Sequence, residues 1–159
     1  MAVTKILYRN GGLQQAIDYI TYPAKTNEQL LTDYVRCDPG YAAQQMMDTK
    51  RALGKIAGRQ CYHIIQSFKP DEITPELAHE IARQFAAEHL PGYEAVIATH
   101  VDKTNIHSHI VFNSVNAVTG KMYHSTRENY YRQIRGISDR LCKAHGLSII
   151  LESDEKKAV

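Results

Sequence analysis

The segment "YEAVIATHVDKTNIHSHIVFN", residues 93–113, constrains the fold of this chain most strongly. Apolar residues dominate both halves, and the Asp and Asn of "DKTN" are typical of a turn between two strands. Two strands joined by so short a connection must run antiparallel. The segment therefore predicts a β-hairpin with a four-residue loop, in which Val101 pairs with Ile106 and His100 lies opposite His107.

Three histidines of this hairpin are predicted to converge. His107 and His109 are two residues apart, so both side chains point to one face of the strand. His100 joins them, because opposed Cβ atoms in such a ladder lie roughly 4.5–5.5 Å apart. Three imidazoles with an open coordination position are typical of a catalytic metal site. Their donor softness alone favours Zn, Co, Ni or Mn over Mg or Ca. Asp102 is the candidate acceptor for an imidazole N–H.

The rest of the chain alternates predicted strands and helices. Strands are predicted within 3–9, 30–37 and 60–69, and helices within 11–23, 40–58, 74–90 and 126–146. Helices separate these strands, whereas the hairpin strands are adjacent. The pattern predicts one sheet with helices packed on a face, an α+β fold.

Length and composition indicate the broad class of protein. A chain of 159 residues fits one domain, which we assign to residues 1–150, and the polar tail 151–159 is expected to begin a region truncated here. A net charge of +2 does not by itself indicate a nucleic-acid partner. The three cysteines are isolated and odd in number, which favours a reducing, cytoplasmic setting. No apolar run approaches the length that spans a membrane.

Three motifs occur in a recognisable order: "AIDYITYPAKT", then "CYHIIQSFKP", then the histidine hairpin. Together they resemble the three motifs of the MobA/Vir-type conjugative relaxases, mobilisation nucleases of the HUH endonuclease superfamily. The resemblance implies the N-terminal catalytic domain of such an enzyme. It also implies the HUH/RRM-like form of the α+β fold: a mostly antiparallel five-stranded sheet with helices packed on one face and the histidines on the other. A relaxase nicks and rejoins one DNA strand at an origin of transfer, through a 5′-phosphotyrosine ester.

The resemblance also implies roles for individual residues. Tyr19 is the expected nucleophile, with Tyr22 as its local rival, and Ser67 is expected to contact DNA. His100, His107 and His109 would hold a divalent metal ion. We expect Mn²⁺ or Mg²⁺ in use, with Zn²⁺, Co²⁺ or Ni²⁺ as alternatives. Candidate phosphate contacts are Lys25, Lys103, Lys121 and Arg127. The implied partners are single-stranded origin-of-transfer DNA, an accessory DNA-binding protein and a coupling protein, in the bacterial cytoplasm without membrane insertion.

Three other functions remain open on the sequence. A rolling-circle replication initiator would use Tyr130 or Tyr131, which follow the histidines in "ENYYRQIRG". A three-histidine metal hydrolase would activate water and need no tyrosine. An RRM-like sheet would bind single-stranded nucleic acid by stacking on exposed aromatic residues, for which Tyr62, Phe68 and Phe112 are the candidates.

Overall fold

The computed structural model describes residues 2–27, 30–102 and 104–149. The strands are β1 (Ala2–Arg9), β2 (Thr32–Val35), β3 (Cys61–Phe68), β4 (Ala95–His100) and β5 (His107–Asn113). The helices are α1 (Leu13–Ile20), α2 (Ala42–Ala52), α3 (Pro75–His89), α4 (Arg127–Asn129) and α5 (Gly136–Ala144), and a π-helical segment (Tyr130–Arg135) joins the last two. No helix among these residues is long and apolar enough to cross a membrane.

The five strands form one sheet in the order β1-β3-β5-β4-β2, and every neighbouring pair is antiparallel. The predicted five-stranded, antiparallel α+β fold is therefore confirmed. The β4–β5 ladder ends at the pair His100–His107, one step earlier than predicted. The backbone N–H of Val101 donates instead to the carbonyl oxygen of Lys25, 2.7 Å away, so the loop after α1 docks on the end of the hairpin.

Helices cover both faces of the sheet, which corrects the predicted placement on one face. The helices α3 and α5 pack against the face that carries Ile64, Ile97 and Phe112. The helices α1 and α2 pack on the opposite face, over Val96 and Val111. The central strands β4 and β5 are buried on both faces, because helices shield each face from water.

Candidate active site

The pairing of β4 with β5 brings the three predicted histidines together. His100 lies directly opposite His107, as predicted, and His109 is the next residue on the same face. The ring centroids of His100 and His109 are 4.0 Å apart, and those of His107 and His109 are 6.3 Å apart. The two strands thus form one imidazole cluster at the end of the hairpin.

A fourth histidine, His63 on β3, joins this cluster and was missed in the sequence. Its Nε2 lies 2.7 Å from Nδ1 of His109, and both side chains are buried. The β3–β5 register sets His63 and Ser67 on the histidine side of the sheet, with Ser67 directly opposite His107. The sequence did contain a signal for this placement. His63 and Ser67 are four residues apart in one strand, and residues an even number apart in a strand share a face. We call the side of the sheet that bears these four histidines the histidine face.

Hydrogen bonds fix which ring nitrogens remain for a ligand. Nε2 of His100 donates to the carbonyl oxygen of Ile20, 2.9 Å away, so its Nδ1 keeps the lone pair. At this ring the acceptor is therefore a backbone carbonyl rather than Asp102. Burial lowers the pKa of His100, and the charge of Asp102 offsets only part of that lowering. Nε2 of His109 is buried and has no hydrogen-bond partner among the described residues.

Burial keeps these rings neutral near pH 7. Desolvation lowers the pKa of His63 to about 4, and the positive charge of Arg9 adds to the effect. Desolvation, with the neighbouring histidines, lowers the pKa of His109 to about 2. Burial also lowers the pKa of His100, although the hydrogen bond to the Ile20 carbonyl raises it in part. Neutral imidazole is the form that binds a metal ion.

The imidazole nitrogens of the cluster are suitable ligands for a divalent transition metal, although the side chains do not converge on one coordination point. Among the described residues, no group of three or more His, Cys, Asp or Glu side chains is arranged as a ready metal site. The fit rests instead on imidazole chemistry and on the buried, unpartnered Nε2 of His109, since a buried polar atom without a partner is costly. Metal binding by His100, His107 and His109 stays a prediction.

Tyr19 is the tyrosine that the structure brings to the cluster. Its ring contacts His100 and His109 edge-on, with centroid distances of 5.9 Å and 6.3 Å, and half of its surface is exposed. The ammonium of Lys25 lies over the Tyr19 ring, 4.1 Å from its centroid. The side chain of Tyr22 is 57% exposed, farther along the loop that follows α1.

Two of the predicted phosphate contacts lie away from the cluster. Lys121 follows the far end of β5, roughly 20 Å from His107 at about 3.3 Å per strand residue. Arg127 begins α4, with its guanidinium 5.7 Å from the centroid of the Tyr131 ring. Charge alone suggested both residues, and charge says nothing about which face or end of the sheet carries them. Lys103 lies outside the described residues, as does the tail 151–159.

The tyrosines of the replication-initiator alternative and the aromatic residues of the stacking alternative are not at the histidine face. The hydroxyl of Tyr130 donates to the carbonyl oxygen of Thr4, 2.7 Å away, on the side of β1 that faces α5. Tyr131 lies beside it, with the two ring centroids 5.1 Å apart. Both tyrosines are thus separated from the histidines by the sheet. Tyr62, Phe68 and Phe112 are buried, so they offer no stacking surface to a base.

Comparison with known proteins agrees with this arrangement. Residues 19–147 match the model of the family described as "Relaxase: MobA/VirD2-like, nuclease domain". The chain belongs to this relaxase family. A protein named "Protein rlx" from Staphylococcus aureus is 36% identical over 149 residues, which are 94% of this chain and 45% of that protein. The "Group II intron-interrupted relaxase LtrB" of Lactococcus lactis subsp. cremoris is 42% identical over 110 residues, covering 58% of this chain and 19% of the relative.

Two solved structures share the fold at low sequence identity. The MobM relaxase domain, solved with Mn and with plasmid pMV158 oriT DNA, superposes with a TM-score of 0.64 at 14% identity, covering 99% of this chain and 98% of that one. A structure described as the molecular basis of vancomycin resistance transfer in Staphylococcus aureus gives a TM-score of 0.62 at 13% identity, covering 94% and 96%. This relaxase chain spans less than half the length of the staphylococcal Rlx relatives.

Proposed function

We propose that this relaxase domain nicks and rejoins one strand of origin-of-transfer DNA, with Tyr19 as the nucleophile. The observation that carries the proposal is the contact of the half-exposed Tyr19 ring with His100 and His109. A nucleophile needs solvent access and a neighbouring site for the scissile phosphate, and Tyr19 combines exposure with contact to the proposed metal ligands. Family membership supports a DNA-cleaving role.

The reaction is a reversible transesterification. The Tyr19 oxygen forms a bond to the scissile phosphorus, and the bond from phosphorus to the 3′ oxygen breaks. The net transfer moves the tyrosine hydroxyl proton to the released 3′ oxygen, and the 5′ phosphate stays on the protein as an ester. Because one phosphate ester replaces another, rejoining the strand needs no outside energy source.

The surrounding residues orient the nucleophile and the phosphate. The Lys25 ammonium over the Tyr19 ring restricts that ring and presents a positive charge beside the cluster. The hydrogen bond from His100 to Ile20 ties the end of α1 to β4, so it fixes the helix that carries Tyr19 relative to the histidines. Ser67, half-buried and opposite His107, is close enough to the cluster to contact the bound strand.

The metal ligands in this proposal are His100, His107 and His109. A bound divalent ion would neutralise charge on the phosphate and hold it in line for attack. Imidazole ligands suit Mn²⁺ better than Mg²⁺, and Mn is the metal in the solved MobM domain. Zn²⁺, Co²⁺ and Ni²⁺ suit the same donors.

The cellular setting is part of the proposal. We propose that the whole protein works in the bacterial cytoplasm with an accessory DNA-binding protein and a coupling protein. The three cysteines Cys37, Cys61 and Cys142 are all unpaired thiols, as expected in a reducing compartment.

A denaturing gel tests the proposal. The protein is incubated with labelled single-stranded oligonucleotides that tile its host element, in Mn²⁺ or in EDTA, and then run beside Tyr19→Phe, Tyr22→Phe and the double variant Tyr130→Phe/Tyr131→Phe. We expect an Mn²⁺-dependent covalent adduct that only Tyr19→Phe abolishes. An adduct that survives Tyr19→Phe, or the absence of any adduct across the tiled region, would contradict the proposal.

A further inference from the structure

Among the residues that the structure describes, no helix packs over one half of the histidine face. The residues of this sheet face that α1 and α2 bury are Cys61 on β3 and the apolar side chains of β4 and β5. The edge strand β1 contributes no residue to that buried cluster within the described part of the chain. The open half begins directly beside His63 and Ser67.

The side chains that β1 presents on this open half alternate between apolar and basic. Val3, Lys5, Leu7 and Arg9 pair with Ser67, Ile65, His63 and Cys61, so the four β1 side chains lie on the histidine face. We call these four residues the β1 strip. Val3 is 44% exposed and Leu7 is 50% exposed, and Lys5 and Arg9 are also exposed.

The β1 strip is continuous with the histidine cluster. Ser67 is flanked by Val3 on one side and His107 on the other, and Ile65 is flanked by Lys5 and His109. Each step across the sheet is about 4.8 Å, so the strip runs roughly 10 Å from the predicted metal ligands. A DNA strand whose scissile phosphate lies at the histidines has to continue away from the site. The β1 strip offers an exposed surface of the sheet along which it can do so.

The charges along this direction complement a polyanion. The positive charge of Arg9 acts on His63, and that of Lys25 acts on His109, so both cations border the cluster. Neither Lys5 nor Arg9 forms an ion pair with a carboxylate among the described residues. Exposed apolar side chains between such cations match a nucleic-acid strand, whose bases and phosphates alternate in the same way.

We propose that the β1 strip binds the single-stranded DNA next to the scissile phosphate, with Lys5 and Arg9 on phosphates and Val3 and Leu7 against bases. This proposal rests on the proposed function, since it takes the phosphate at the histidines as the starting point. The contacts to phosphate position the strand and carry no sequence information of their own.

Salt dependence of binding tests the two cations. Tyr19→Phe serves as the parent protein, so that no covalent step interferes, and fluorescence anisotropy measures its affinity for labelled oligothymidylate over a series of NaCl concentrations. The variant Lys5→Gln/Arg9→Gln should lower the slope of log K against log salt by about 1.4, since each single-strand phosphate contact contributes about 0.7. The matched control is Arg132→Gln/Lys143→Gln, which removes two charges from the helical segments on the other face and should leave the slope unchanged.

Tryptophan fluorescence tests the two apolar residues. The chain has no Trp, so Val3→Trp and Leu7→Trp each introduce a single probe on the strip. Oligothymidylate should quench both. Val118→Trp is the control, because Val118 is 66% exposed in the turn beyond the far end of β5, and its fluorescence should not change.

The outcomes separate this proposal from the function on which it rests. If the parent binds DNA but the Lys5/Arg9 variant keeps its salt slope, or the probes at positions 3 and 7 are not quenched, the β1 strip is not the DNA path. Lys5 and Arg9 would then serve to keep an edge strand from pairing with other chains. If the Tyr19→Phe parent does not bind single-stranded DNA at all, the proposed function itself is contradicted.

Discussion

Replacing His63 by leucine should weaken metal binding without removing a ligand. For Nε2 of His109 to hold its lone pair towards a metal, Nδ1 of that ring must carry the proton, and His63 Nε2 is the acceptor 2.7 Å away. A leucine side chain at this position would leave that N–H unpaired at a site where His109 is only 4% exposed. The ring would then lose the contact that sets both its orientation and its tautomer.

The size of the effect follows from this single hydrogen bond. Loss of a group that orients a metal ligand typically lowers metal affinity about 10–100-fold, which is about 1.4–2.7 kcal/mol. The unpaired buried N–H should also lower the free energy of unfolding by about 1–3 kcal/mol. His63→Gln keeps a side-chain acceptor and should recover most of the affinity.

Titration calorimetry with Mn²⁺ measures the affinity, and nitrogen NMR of the imidazole rings reports the tautomer of His109 in the metal-free protein. His89→Leu is the matched control: it removes another buried histidine, which bonds to Tyr123 on the other side of the sheet, and should destabilise the fold without changing Mn²⁺ affinity. Unchanged Mn²⁺ affinity in His63→Leu would show that His63 does not orient His109 for metal binding. Equal loss in His63→Leu and His63→Gln would instead make His63 a ligand.

Three further predictions concern stability and are checked by urea denaturation. Burial lowers the pKa of His89 in the folded protein to about 4. As the pH falls from about 6.5 towards 4, the unfolded chain therefore binds a proton at this ring before the folded protein does. Stability therefore declines over that window, and His89→Gln should reduce the decline by about 3 kcal/mol at about 1.4 kcal/mol per pKa unit; identical pH profiles would contradict this. Gly92→Ala should destabilise more than Gly40→Ala, because both glycines have positive φ but only a Cβ at position 92 would collide with the Asn116 side chain; equal losses would show that the neighbour yields. Thr74→Ala removes the side-chain cap of α3 and should cost about 1 kcal/mol, while no loss would mean that water replaces the cap.

Much of the fold could be predicted because the local signals agree. The Thr74 cap marked the start of α3, and the "DKTN" turn set His100 opposite His107. The sequence bounded α2 only loosely: the helix stops at Ala52, before Gly54 with φ +67°, within the predicted span 40–58. A glycine in the left-handed region ends a helix, and both Gly54 and Gly58 have positive φ, so the glycines of this span do not by themselves fix the last helical residue.

The features that were missed depend on contacts between distant parts of the chain. His63 and His109 are 46 residues apart, and only the β3–β5 pairing brings their nitrogens together. The placement of α1 and α2 over the histidine face depends on which way each connection crosses the sheet. Apolar periodicity gives the buried side of a helix but does not say which face of the sheet it meets. Lys121 was chosen for its charge, and its distance from the cluster follows from the length of β5.

The most direct test of the account is to identify the tyrosine that carries the DNA. The covalent adduct formed with Mn²⁺ and a cleavable oligonucleotide is digested with nuclease and trypsin, and mass spectrometry locates the residual nucleotide. We expect a 5′-phosphoryl nucleotide on Tyr19, which lies against His100 and His109. A nucleotide on Tyr22, Tyr130 or Tyr131 would contradict it.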